Sequence, residues 1–296
     1  MTNKKQRVIT AGLLISPLFF IPLLVVSTQS IAQDEYSFDM SAYEKSPFEY
    51  GGYAELRWEH LRYNKDSAIY QLNFYGQDQP DNNDRFVGIL EPVGQYSKGK
   101  FSVYARLHLE GYIDDYSDDS EFDAHEAYIS WQAKPSVTLD VGKKLLKWGK
   151  GYAWNPVGFV ERPKDPNEPD LAREGYTMVG GDWISSRPGN LQTIAITPIY
   201  LPVTDDINND FGKEDNNFAG KVYFLYKDTD IDLMFLSDGS RTARYGLDFS
   251  RNIRTNFEVH GEFAYITDFQ RKLLDDNGNL NSETDDVQSW LLGMRY

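Results

Sequence analysis

From Phe101 to Ile113 the apolar residues Phe101, Val103, Ala105, Leu107 and Leu109 alternate with Ser102, Tyr104, Arg106, His108 and Glu110. A period of two predicts a strand with one apolar and one charged face. The same alternation sets Ala54, Leu56 and Trp58 against Glu55, Arg57 and Glu59, and Ala127, Ile129 and Trp131 against Glu126, Tyr128 and Ser130. It returns in Val137–Val141, in Phe218–Tyr226 and in Phe257–Tyr265. No amphipathic helix of more than a few turns stands out, so the chain is expected to be all-β.

A soluble β-sandwich and an antiparallel transmembrane β-barrel share this alternation. Sandwich strands usually run about five or six residues, whereas several runs here reach about ten, the length of a tilted membrane-crossing strand. Aromatic residues such as Phe101, Trp131, Trp148 and Tyr265 end the apolar stripes, as rings at a lipid headgroup level would. Short breaks near 64–67, 97–100, 134–136, 188–190, 228–230 and 252–254 alternate with longer polar ones at 77–84, 114–121, 149–176, 204–216, 237–242 and 268–286. Tight turns at one end and long loops at the other suit a barrel, here with long acidic outer loops. These breaks enclose thirteen strands, the last from about Val287 to Tyr296. Because bacterial barrels have even strand numbers, about 12 to 14 strands are expected. Either a weak strand at Tyr36–Ala42 or further strands beyond Tyr296 would restore the parity.

The N-terminus changes the picture more than the overall composition does. Basic residues Lys4, Lys5 and Arg7, an apolar stretch from Leu13 to Val26 and Ser30-Ile31-Ala32 form the pattern of a secretory signal peptide over 1–32, cut after Ala32. An uncleaved anchor is the alternative, although Pro17 and Pro22 interrupt the stretch. An N-terminal periplasmic segment, 33–48, would then precede an outer-membrane barrel over 49–296. The formal charge of −15 becomes three units more negative without the leader, so nucleic acid is not an expected partner. Cysteine is absent, which excludes thiol catalysis and thiolate metal sites.

Several stretches resemble a family. They are Pro47-Phe48-Glu49-Tyr50-Gly51-Gly52-Tyr53, Val141-Gly142-Lys143-Lys144, Trp148-Gly149-Lys150-Gly151-Tyr152-Ala153-Trp154-Asn155-Pro156, Arg162-Pro163-Lys164-Asp165-Pro166 and Tyr245-Gly246-Leu247-Asp248-Phe249-Ser250-Arg251. Together they resemble a largely uncharacterised group of proteobacterial outer-membrane proteins, distantly similar to porin-like and alginate-export-type barrels. The Trp-Gly-x-Gly and Trp-Asn-Pro pieces are the most specific. The resemblance implies a barrel in the cell outer membrane, with no catalytic residues to transfer, and members that often continue past the position of Tyr296.

The stretch from Trp148 to Tyr176 holds four prolines and several glycines, so it is expected to be a stiff, defined loop. Trp148, Gly149, Gly151, Trp154, Asn155 and Pro156 would anchor it. Folded inward, it would form a constriction presenting Arg162, Lys164, Asp165, Asp170, Arg173 and Glu174 to a passing solute; folded outward, it would shield the rim. By parity Arg57, Arg106, His108, Glu110, Glu126 and Lys144 face the lumen. There the basic groups would guide anions or simply pair with the acids, while lysines near a strand end would equally meet lipid headgroups. No hydrolase or metalloprotease motif is present, and no cofactor or metal is expected. The expected function is a porin-like channel for small hydrophilic solutes, with outer-membrane lipid and the barrel-assembly machinery as partners. A non-conducting barrel in envelope assembly or polysaccharide export is the alternative.

Overall fold

A computed structural model describes residues 46–77, 79–151, 154–163, 174–275 and 278–296. The expected signal peptide, the Tyr36–Ala42 alternation and the loop residues Lys164, Asp165, Asp170 and Arg173 lie outside them. The strands are β1 (Phe48–Arg62), β2 (Asn82–Lys98), β3 (Phe101–Asp114), β4 (Asp118–Lys134), β5 (Val137–Lys144) and β6 (Tyr176–Ser186). They continue as β7 (Leu191–Leu201), β8 (Asn217–Tyr226), β9 (Thr229–Leu236), β10 (Arg244–Arg254), β11 (Phe257–Leu274) and β12 (Leu280–Arg295). One helix, α1 (Ala68–Asn73), follows β1. All twelve strands form a single sheet in sequence order, each antiparallel to the next.

The expected strand between the breaks at 64–67 and 77–84 is instead α1, so among the described residues the sheet has twelve strands rather than thirteen. Ser67 caps the helix by accepting the Tyr70 N–H at 3.1 Å, and Tyr70 and Phe74 pack their rings on Tyr63. A local side-chain cap and three clustered rings outweigh a weak alternation. The breaks expected at 114–121 and 268–286 also shrink, because their polar residues pair across hairpins. Asp114 accepts the N–H groups of Tyr116 and Ser117, turning the chain within three residues. In the β11–β12 hairpin Arg271 and Asp285 meet at 2.5 Å, and Asp286 accepts the Asp268 N–H where a bulge interrupts the register. Strand pairing needs backbone partners, not an apolar face, and such stretches carry no hydrophobic period.

The two faces of the sheet are inverted relative to a soluble protein. Leu56 on β1 is 93% exposed and Trp290 on β12 is 72% exposed, while Asp232 on β9 and Asp248 on β10 are 2% and 0% exposed. Leu90, Val103, Ile129, Val141, Leu233, Leu247 and Leu292 continue the exposed apolar face.

A single layer can bury its polar face only by curling around it, and the register shows that it does. Asp140 on β5 lines up with Ile266 on β11 through Gly180, Ile199, Ala219, Leu236 and Arg244. On a flat sheet Glu262 would therefore lie about 29 Å across and about 27 Å along from Lys144, at ~4.8 Å per strand and ~3.4 Å per residue. Six residues reach at most about 21 Å, yet the Lys150 N–H donates to Glu262 at 2.5 Å. Inside the curl, the connection after β5 and the one between β7 and β8 build the apolar core: Trp148, Val157, Phe159, Val203 and Phe211 pack on Tyr176, Met178, Leu201, Met234 and Ala264.

Candidate functional site

Strand parity and register place three carboxylates side by side on the buried face. Asp232 pairs with Asp248, and Asp248 pairs with Glu262, on successive strands. Like charges in a row need compensation. The Lys150 Nζ supplies part of it, 3.1 Å from Asp232 Oδ2 and 3.7 Å from Asp248 Oδ1, and Lys221 stands 3.9 Å from Asp232. Burial favours the neutral form of Lys150, but the Asp248 and Asp232 charges outweigh it and raise its pKa above the ordinary value.

Glu262 is satisfied by backbone instead. The N–H groups of Lys150 and Gly151 donate to its Oε1 at 2.5 and 2.6 Å, and that of Val157 to its Oε2 at 3.4 Å. Successive amides wrapped around an anion form a nest, and this one explains the Trp-Gly-x-Gly sequence. Gly149 adopts a φ of +90°, and a Cβ there would meet Glu262 Oε1 at 2.9 Å. A Cβ on Gly151 would strike the Trp154 carbonyl oxygen at 2.1 Å. Trp148 is buried edge-on to Phe159, with its N–H donated to Glu161. Pro156 is buried, Asn155 accepts the Gly158 N–H at 3.1 Å, and Trp154 is exposed.

The far end of the loop is held by charge. Arg162 pairs with Glu174 at 3.1 Å and with Asp210 on the β7–β8 connection, and its guanidinium stacks 4.4 Å over the Tyr176 ring. Lys143 bridges Asp123 and Glu174. Arg241 lies 3.8 Å over the Phe211 ring and donates to the Phe159 carbonyl at 3.2 Å, fastening the β9–β10 connection to both loops.

A second cluster lies across β2, β3 and β4. Arg106 pairs with Glu126, then Leu107 with Ala124, so His125 is the extra residue of a bulge. The bulge turns both neighbours to the buried side: Glu126 meets Arg106 at 3.3 Å and accepts the Leu145 N–H, while His125 Nδ1 lies 3.3 Å from Glu91 Oε1. His108 Nδ1 is 2.9 Å from the same Glu91 oxygen, its Nε2 is 3.3 Å from Glu110, and its ring stacks on that of His125 at 4.3 Å.

The sequence-selected residues Arg57, Arg106, His108, Glu110, Glu126 and Lys144 all lie on the sheet face opposite the exposed apolar one. Their cations do not form a free ladder. Arg57 bridges Glu55 and Glu59, Arg106 pairs with Glu126 and Lys144 with Asp140. Of the loop residues selected, Arg162 and Glu174 meet each other. Sequence reasoning did not select Asp232, Asp248, Glu91 or His125 as site residues; parity could have marked the first three, but the bulge hides His125. No known protein-family model and no curated protein sequence matches the chain.

Proposed function

We propose that this chain is an outer-membrane β-barrel, closed by β1 on β12, whose polar interior passes small hydrophilic solutes around an infolded loop. The observation that carries this reading is the inverted sheet, with leucines and tryptophans outward and carboxylates inward, which water outside would penalise and lipid would favour. Band height agrees with it. Between exposed Phe122 and Trp131 on β4, which the bulge makes equivalent to eight residues of β3, the strand rises about 27 Å, or about 21 Å along the membrane normal at the ~40° tilt of membrane strands, most of the ~25 Å apolar band of such barrels. Exposed aromatics Tyr96, Phe101, Trp131 and Tyr226 stand near the short-turn end, and Trp58, Phe86, Phe218 and Tyr245 near the other. The short turns would face the periplasm and the long connections the outside.

The infolded loop would act as the constriction, with the Lys150–Asp232–Asp248 group and the Arg162–Glu174 pair at its polar margins. Refolded mature protein in a planar bilayer is the test: discrete conductance steps support a channel, and removing residues 157–172 should enlarge them. The depth of the Trp148, Val157 and Phe159 packing favours a second reading, a barrel sealed by its loop that serves envelope assembly or polysaccharide export. A folded barrel that stays silent, and conducts only after the deletion, would select that reading.

A further inference from the structure

We propose that Glu91, His108 and His125 form a binding site for a divalent transition-metal ion of the zinc class. One carboxylate oxygen and two imidazole nitrogens meet from three adjacent strands; the two rings lie nearly parallel at 4.3 Å, so binding an ion requires one ring to turn until both in-plane lone pairs point at it. Each offers a ligand atom, and the three atoms lie within 4.8 Å of one another. Two of the spacings, 2.9 and 3.3 Å from Glu91 Oε1 to the two Nδ1 atoms, match the edge of about 3.3 Å that donors occupy around a four-coordinate zinc with bonds near 2.0–2.1 Å. Neutral imidazoles and a carboxylate suit zinc, copper or nickel better than the all-oxygen shells of calcium and magnesium.

The hydrogen-bond partners of His108 suit a cation beside Glu91. His108 stands between two carboxylates, with Nδ1 toward Glu91 and Nε2 toward Glu110. A neutral imidazole has one N–H and one lone pair, so whichever tautomer forms, one ring nitrogen presents its lone pair to a carboxylate. Either a second proton or a metal ion removes that repulsion. With Nε2–H donated to Glu110, the Nδ1 lone pair is free to ligate beside Glu91, which is the carboxylate–histidine–metal arrangement that fixes tautomer and ring orientation in metalloproteins. His125 completes the set because the β4 bulge turns it inward beside Glu126. In an unbroken alternation a histidine at this position would face outward with Ala127. The three protein ligands leave a fourth position for water.

The site does not require that the barrel conduct, so its test is separate from bilayer measurements. Untagged refolded protein, stripped with chelator, should bind one equivalent of Zn²⁺ by calorimetry, and Co²⁺ should give the intense visible absorption of a tetrahedral site. His125→Asn and Glu91→Gln should abolish or weaken Zn²⁺ binding at least tenfold, and Glu110→Gln should weaken it by about ten- to a hundredfold while leaving the ligands in place. His60→Ala, which alters the exposed His60–Asp84 pair instead, should leave it unchanged. Gel mobility before and after heating identifies any variant that fails to fold. Wild-type protein that takes up no Zn²⁺ and leaves the Co²⁺ spectrum that of the aqueous ion would overturn the proposal. Undiminished binding by folded His125→Asn would overturn it too.

Discussion

Glu262 and Gly151 are 111 residues apart in sequence, yet the carboxylate of one accepts the backbone N–H of the other at 2.6 Å. The bond joins β11 to the connection that leaves β5. It is a polar clasp holding the loop within the curl, since the same carboxylate also takes the N–H groups of Lys150 and Val157.

Glu262→Ala should therefore leave three amides without an acceptor. Each orphaned donor costs about 1–3 kcal/mol, so the loop should lose ~3 kcal/mol or more of its seating free energy. Limited proteolysis within 150–175 reads this directly, with Glu262→Gln intermediate because it keeps one acceptor oxygen. Equal protease resistance in Glu262→Ala and wild type would count against the clasp.

The outward leucines distinguish lipid from water. Leu233, at the middle of β9, points away from the buried face. Leu233→Arg should lower folding stability in lipid vesicles by about 2–4 kcal/mol, the cost of a cation on the lipid face near the bilayer midplane. An exposed leucine on a soluble sheet would tolerate the change with a shift within ~0.5 kcal/mol.

Closure of the sheet can be read by cross-linking, because the chain has no cysteine of its own. A cysteine at Leu56 should form a disulfide with a cysteine at one of Trp290, Leu292 or Met294, which share the apolar face on the opposite edge strand. Disulfide formation requires Cα atoms within about 7 Å. Failure of all three pairs in folded protein would argue for an open edge.

The Lys150 pKa is raised, so the sign of its pH dependence is fixed. Its contribution is complete below the unfolded value near 10.4 and is lost as pH rises through the higher folded value. Loop seating should be flat from pH 7 to 9 and weaken only in strong alkali, as followed by protease sensitivity. Lys150→Met should remove this alkaline limb and destabilise the seated loop already at pH 7, since Asp232 and Asp248 then lack their shared cation.

Strand existence and facing were legible wherever one face was apolar: Leu56, Val103, Ile129 and Leu233 mark their strands in the sequence as clearly as in the fold. The period failed where pairing is polar on both faces, as in Gln270–Lys272 against Ser282–Thr284, and where three rings made a helix of residues 68–73. The stiffness of the loop was visible in its prolines. Its direction was not, because it depends on Glu262, a residue more than a hundred positions away. The histidine cluster was hidden for a related reason. A bulge shifts parity by one, and nothing local to His125 announces it.

The clasp has a temporal side. Strands β1 to β10 can pair in succession without it, but Glu262 becomes available only once β11 is laid against β10. Until then the Lys150 and Gly151 amides lack their carboxylate acceptor, and the loop is held only by contacts such as those of the Lys150 side chain with Asp232 and Asp248. A seated loop thus certifies that the sheet has been built almost to its end, and a chain stopped after Arg254 should show the loop as its first cleavage site.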